Sequence, residues 1–144
     1  MKISRRRIVE TARQWIGTPY HHQASAKGVG CDCLGLVRGV YRELCGDEPE
    51  AMPAYTPDWA EGKGCETLLL GARRHLRERS PVEAQPGDIL VFRLKNRAMA
   101  KHMAVLATPG AMIHAMEHGP ACEVHYSAWW RRHCTATFVF PGVE

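Results

Sequence analysis

Cys31 and Cys33 flank Asp32 in the stretch GVGCDCLGLVRGVY (28–41), and an apolar run follows them. Such a pair suits half of a metal site, half of a disulfide, or a nucleophile at the start of a helix. Asp32 is a residue of N-cap type, which puts Cys33 in the first turn of the helix that follows. Unpaired backbone N–H groups and the helix dipole favour an anion there. The thiol pKa is therefore expected to fall, giving more of the reactive thiolate. The same N–H groups suit an oxyanion formed on an attacked carbonyl, and Gly30 and Gly35 let backbone or substrate come close. A buried structural cysteine fits the local pattern as well, and a metal ligand is the third reading; the stretch alone leaves all three open. The two cysteines stand too close for an ordinary paired zinc knuckle, so Cys31 reads as a small residue packed beside Cys33.

A nucleophilic thiol needs a base. His102 and His114 lie in HMAVLATPGAMIHAM (102–116), where Thr108-Pro109-Gly110 separates two runs of alternating polarity. A hairpin centred near residue 108 places the two histidines directly opposite each other, with Cβ atoms ~4.5–5.5 Å apart on one face. One then serves as base for Cys33 and the other holds its ring, as the third member of a triad does. A one-residue slip would put them on opposite faces.

These residues need a scaffold. Ile8, Ala12, Trp15 and Ile16 share one face at helical spacing, which predicts an amphipathic helix over 4–16, ended by Gly17. Residues 21–30 are small and polar, hence a loop. Cys33, Leu36, Val37, Val40, Tyr41 and Leu44 repeat with helical period until Gly46 stops them. Pro49, Pro53 and Pro57 predict irregular chain over 47–61. A third helix is expected over about 65–78, with Leu68, Leu69, Ala72 and Leu76 inward. Beyond Pro81 and Pro86 the period changes to two, giving short strands at 87–94, 102–107, 111–116, 122–126 and 135–140. Helices first and strands after predict an α+β fold with an antiparallel sheet, a single domain spanning 1–144.

Composition sets bounds on function. The chain has 144 residues and a formal net charge of +4, with its basic residues scattered. That is no nucleic-acid signature, though it suits an anionic polymer such as cell wall. No apolar run approaches the ~18 residues of a membrane span, so no membrane insertion is expected. The basic opening MKISRRR has no apolar segment behind it, so the reading is a protein made in the cytoplasm without a cleaved signal. Reduced thiols are then the default for the six cysteines.

The blocks resemble a known family. GCDCLGLV is similar to the D-C-S-G-L-V block of the NlpC-type cysteine peptidases, papain-like enzymes that cut the stem peptides of bacterial cell wall. WIGTPY resembles that family's opening G-T-P-Y stretch, PGDILVFR its P-G-D-L-V-F-F strand, KHMAVLA its H-V-G-I-Y strand, and MIHA the strand after it. They occur in the family's usual order, Cys then His then His. YHHQASAKGVGCDCLGLVRGVYREL, YTPDWAEG, AKHMAVL and the late WWRRH with FVFPG look more narrowly like the cell-wall peptidases of phage and gene-transfer-agent tails.

The resemblance implies a papain-like NlpC-type domain with Cys33 as nucleophile, His102 as base and His114 as orienting residue. It implies that Tyr20 faces the site, with a hydroxyl placed to assist an oxyanion, and that Asp32 touches a substrate amino group. No metal or cofactor is implied. The implied substrate is the peptidoglycan stem peptide, cut at a γ-D-glutamyl–diaminopimelate type of amide. The implied partners are phage-like tail or baseplate proteins, in a particle acting in the periplasm or cell wall. Leu34 departs from the family's usual serine, and Met103-Ala104 from Val-Gly. Two other classes compete: a structural tail-tip subunit that uses 117–144, with Trp129 and Trp130, as a docking surface, and a zinc module built from Cys31, Cys33, Cys45, Cys65 and histidines.

Overall fold

The computed structural model describes residues 2–49, 67–94 and 102–143. Pro53, Pro57, Cys65 and the start expected for the third helix lie outside them. Helix α1 spans Arg5–Arg13, capped by the Ser4 side chain, which accepts from Arg7 N. Helix α2 spans Cys33–Cys45, and α3 spans Thr67–His75. Ile8, Val9 and Ala12 of α1 and Leu36, Val37 and Val40 of α2 are buried, so both helices turn one apolar face inward as their spacing predicts. Ile16 does not follow: α1 stops at Arg13, and Ile16 is 43% exposed. Trp15 instead enters the core, against Gly39, where an added Cβ would lie 2.0 Å from the indole.

The strands are β1 (Ser25–Ala26), β2 (Gly30–Cys31), β3 (Arg77–Arg79), β4 (Ile89–Phe92), β5 (His102–Thr108), β6 (Ala111–His114), β7 (Cys122–His125) and β8 (Cys134–Val139), with a six-residue helix α4 at Ala128–His133. β1 and β2 form a small ribbon; the main sheet has the order β3-β8-β4-β5-β6-β7. Its strand pairs are antiparallel, so the expected α+β architecture is what the chain adopts. The helices pack on one face, where Ile89, Val91, Met103, Val105 and Phe138 join the helical core. The alternate residues Leu90, Phe92, Ala104, Leu106 and Met112 build a second cluster on the other face with Tyr126 and Trp130. Burial on both faces explains why ILVF and MAVLA read as nearly continuous apolar runs.

Three further segments depart from the expected elements. Residues 77 and 78, expected to end the third helix, instead join Arg79 in edge strand β3 against β8. The loop at 21–30 contains β1 and the start of β2. The β5–β6 hairpin pairs Val105 with Ile113 and Leu106 with Met112, with an irregularity between Leu106 and Thr108. It is therefore centred near residue 109, one later than expected. His114 falls opposite Ala104, and His102 is its diagonal neighbour. A two-residue change of register preserves the face, and diagonal neighbours stay within reach of long side chains.

Candidate active site

The residues ahead of α2 are held by a dense set of backbone bonds. Cys31 N donates to Pro19 O and His21 N to Cys31 O, while Ser25 Oγ donates to Gly35 O. Gln23 adopts a left-handed φ of 67°, and its N–H donates to Asp32 Oδ2 at 2.8 Å. Gly35 has a steric reason. A Cβ there would lie 1.8 Å from the Ala24 carbonyl oxygen, so only glycine lets the loop lie on the first turn of α2.

Asp32 caps α2, with Oδ1 accepting from Gly35 N at 2.7 Å. Both its oxygens thus accept backbone N–H groups, and it is 3% exposed. The N-cap assignment holds. The carboxylate is a fold element sealed under the loop.

Cys33 begins α2 as expected, but its thiol pKa does not fall. Burial first, and then the Asp32 charge, push it from 9.0 up to about 12, while the N–H groups of Met103, Leu34 and Cys33 itself pull the other way. The Met103 bond ties the sulfur to the start of β5, at the residue next to His102. Cys31 is fully buried in the helical core, and burial raises its thiol to about 11, as suits a packing neighbour. The five described cysteines are free thiols. Among the described residues no three His, Cys, Asp or Glu side chains gather as a metal would require; Cys65 lies outside them.

His102 and His114 meet. His102 Nε2 lies 2.9 Å from His114 Nδ1, the two rings standing at 75° with centroids 5.1 Å apart. Each residue is 5% exposed. Burial, then the neighbouring His114, lower His102 to about 3, and burial lowers His114 to about 4. At neutral pH both rings are therefore uncharged, and one nitrogen of the bonded pair must carry the proton. A neutral His102 with an unprotonated Nδ1 carries its proton on Nε2 and donates it to His114 Nδ1, which leaves the His114 proton on Nε2. That arrangement keeps His102 Nδ1 open as a base.

Tyr20 bridges to Cys31. Burial, followed by the charges of Cys33, Asp32 and Glu117, raises its hydroxyl to about 12, so it is protonated at neutral pH and able to donate. With Pro19 and the Glu117–Pro120 turn it lines an open groove of about 430 Å³. The groove's two walls are joined by Gly17 N donating to Ala121 O and Ala121 N to Thr18 O.

Two participants were not anticipated from sequence. The Met103 N–H at the Cys33 sulfur is a backbone donor, with no signature in residue type. Trp130 packs on both histidines, at 5.7 Å from His102 and 5.3 Å from His114. Its signal was Ser127, an N-cap residue three positions before it; the Ser127 side chain does accept from Trp130 N. Of the two tryptophans of that segment, Trp129 is 44% exposed, whereas Trp130 packs on the histidine pair.

A family model described as NlpC/P60 family matches residues 17–139. Murein DD-endopeptidase MepH of Escherichia coli (strain K12) is 28% identical over 125 residues, covering 83% of this chain and 40% of that protein. Gamma-DL-glutamyl hydrolase of Bacillus subtilis (strain 168) is 28% identical over 108 residues, covering 75% of this chain and 22% of that protein. The chain thus spans less than half the length of either relative. Among solved structures, the NlpC/p60 domain of peptidoglycan hydrolase SagA superposes with a TM-score of 0.70 at 19% identity, covering 96% of this chain and 100% of that one. That likeness is one of fold.

Proposed function

The chain belongs to the NlpC/P60 family, whose members are cysteine peptidases, and from that premise we propose that it hydrolyses an amide in peptidoglycan stem peptides with Cys33, His102 and His114. The observation that carries this reading is the His102 Nε2–His114 Nδ1 bond. A Cys-His-His triad needs that nitrogen of the base occupied, and in the proposed triad the other nitrogen, Nδ1, serves the thiol. The reaction starts from a neutral pair. His102 Nδ1 takes the Cys33 proton as the sulfur attacks the carbonyl carbon. The N–H groups at the start of α2, with the Tyr20 hydroxyl, receive the developing oxyanion. The imidazolium returns its proton to the leaving amine, and water hydrolyses the thioester. Asp32 holds the loop and the cap throughout; in this reading substrate contact is not its main work.

The names of the two relatives point to different bonds, a DD-linkage and a γ-DL-glutamyl linkage. We propose the γ-D-glutamyl–diaminopimelate class, as the sequence blocks suggest. Purified chain should release stem-peptide fragments from peptidoglycan, identifiable by mass spectrometry of the muropeptides. Cys33→Ala should release none. Persistent release by that variant would sink the triad, and DD-cleavage products would replace the bond assignment.

The proposal also places the chain in a phage-like tail particle that meets the cell wall. The tail-type sequence blocks alone support this part. Antibody labelling of purified particles, and comparison of wall hydrolysis by particles and by the isolated chain, tests it. Particles without the chain would refute the placement. Labelled particles that contain it but show no hydrolysis by either sample would favour a structural subunit.

A further inference from the structure

Helix α4 has six residues, too few to persist on its own propensity, and it is strapped to the hairpin that carries both histidines. Arg131 Nη2 donates to Pro109 O at 2.6 Å, in the β5–β6 turn. The Arg131 guanidinium lies 4.5 Å over the Tyr126 ring. At the other end Arg93 N donates to His133 O at 3.0 Å. The strap delivers Trp130. Its ring stands at 31° to His102, at 88° to His114, and edge-on to Phe92 with centroids 5.1 Å apart. Trp129 backs it at 4.9 Å and stacks on His133 at 4.0 Å.

One indole therefore touches both members of the bonded pair and the aromatic ring beside them. We propose that Trp130 is a positioning residue that screens the His102–His114 hydrogen bond from water and holds both rings in the tautomers that leave His102 Nδ1 open. The physical need is plain. A bond between two neutral imidazoles contributes little where water competes for the same N–H and lone pair, and more where the local dielectric is low. Without the indole, solvent reaches Nε2 of His102, and the ring is free to rotate or change tautomer. The screening stands on the ring geometry; its consequence for turnover rests on the peptidase reading.

The test uses the full chain labelled with ¹⁵N-histidine, at pH 7. The His102 Nε2 proton should appear as a slowly exchanging signal, and His114 Nδ1 should carry the shift of an unprotonated nitrogen. In Trp130→Leu that proton should exchange at least about tenfold faster, and Trp130→Phe should restore most of the protection. On the tripeptide L-alanyl-γ-D-glutamyl-meso-diaminopimelate, kcat of the leucine variant should fall about tenfold with KM within about twofold, the loss matching one hydrogen bond's net contribution. Unchanged exchange in Trp130→Leu, or a change in KM alone, overturns the proposal. So does a wild-type His102 proton that exchanges as fast as one on His118, whose side chain is 92% exposed. That wild-type measurement can overturn the proposal even if the leucine variant does not fold. Protected exchange without cleavage of the tripeptide supports the screening and counts against the peptidase reading instead.

Discussion

Lowering the pH from 7 to 5 should destabilise this fold sharply, because two buried histidines must stay neutral for it to form. His102 is lowered to about 3 and His114 to about 4, while an unfolded histidine titrates near 6.5. Above about pH 6.5 neither state binds the protons and nothing is lost. Below it the unfolded chain takes up two protons that the folded chain refuses, so stability falls until the pH passes through the folded values. At pH 5 each ring is about 1.5 pH units below 6.5, which at about 1.36 kcal/mol per unit costs about 2 kcal/mol, and about 4 for both. A typical domain has about 5–15 kcal/mol in all. Urea unfolding followed by tryptophan fluorescence at pH 7.5, 6.5, 5.5 and 5 measures the loss directly. Most carboxylates titrate lower than this window, so the slope belongs to the histidines. The double variant His102→Gln with His114→Gln should flatten it, whatever its own stability. Wild-type stability constant within about 1 kcal/mol from pH 7 to 5 would refute the reasoning, as would an undiminished slope in the double variant.

Three further outcomes follow from the same geometry. In the proposed reaction the pair is neutral at rest, so kcat/KM should show no acid limb with a midpoint between pH 6 and 7; a bell centred there would mean a thiolate–imidazolium ground state. Gly35→Ala should cost more than about 2 kcal/mol in urea unfolding, because a Cβ 1.8 Å from Ala24 O must displace the backbone of the loop; a loss under about 0.5 kcal/mol would mean that the loop yields freely. Arg5→Met should cost about 3–5 kcal/mol, since it removes the cation that Arg5 Nη1 brings to the fully buried Asp88 carboxylate and leaves the Gln85 N–H donating to it; Arg5→Met combined with Asp88→Asn should recover part of that loss.

The helices were legible because their burial is periodic, and the site-bearing strands because both of their faces are buried. Leu36, Val37 and Val40 mark a helix, and Ile89 to Phe92 and Met103 to Ala107 mark strands, by patterns that burial alone enforces. Cys33 was legible through its cap: Asp32 announced a helix start, and the Gly35 N–H confirms it. The pairing of His102 with His114 was legible only to the face. The turn type and the irregularity at Leu106–Thr108 set the register, and neither is written in the alternation of polarity. β3 was missed because Arg77–Arg79 is an edge strand with little burial, so propensity had nothing to oppose it. The thiol was misjudged for an energetic reason. Residue types announced the helix dipole, whereas the desolvation comes from burial in the folded chain, which they did not announce.

A helix N-terminus favours an anion by about 0.3–1 kcal/mol, less than one pKa unit. Burial and the Asp32 charge, by contrast, carry Cys33 from 9.0 to about 12 even with three N–H groups opposing them. The dipole loses at rest, so these N–H groups cannot work by storing a thiolate. In the proposed reaction they gain their value later, when negative charge leaves the sulfur for the attacked carbonyl oxygen. Interactions stronger in the transition state than in the ground state are the ones that raise kcat. In the proposed triad, a resting thiol and a neutral imidazole spend none of the helix terminus on the ground state. They also tie sulfur attack to proton transfer onto His102 Nδ1, since neither charge is stable there without the other. The hydrogen bond to His114 then matters most at that moment, when His102 becomes the cation and its Nε2–H becomes a charge-assisted donor.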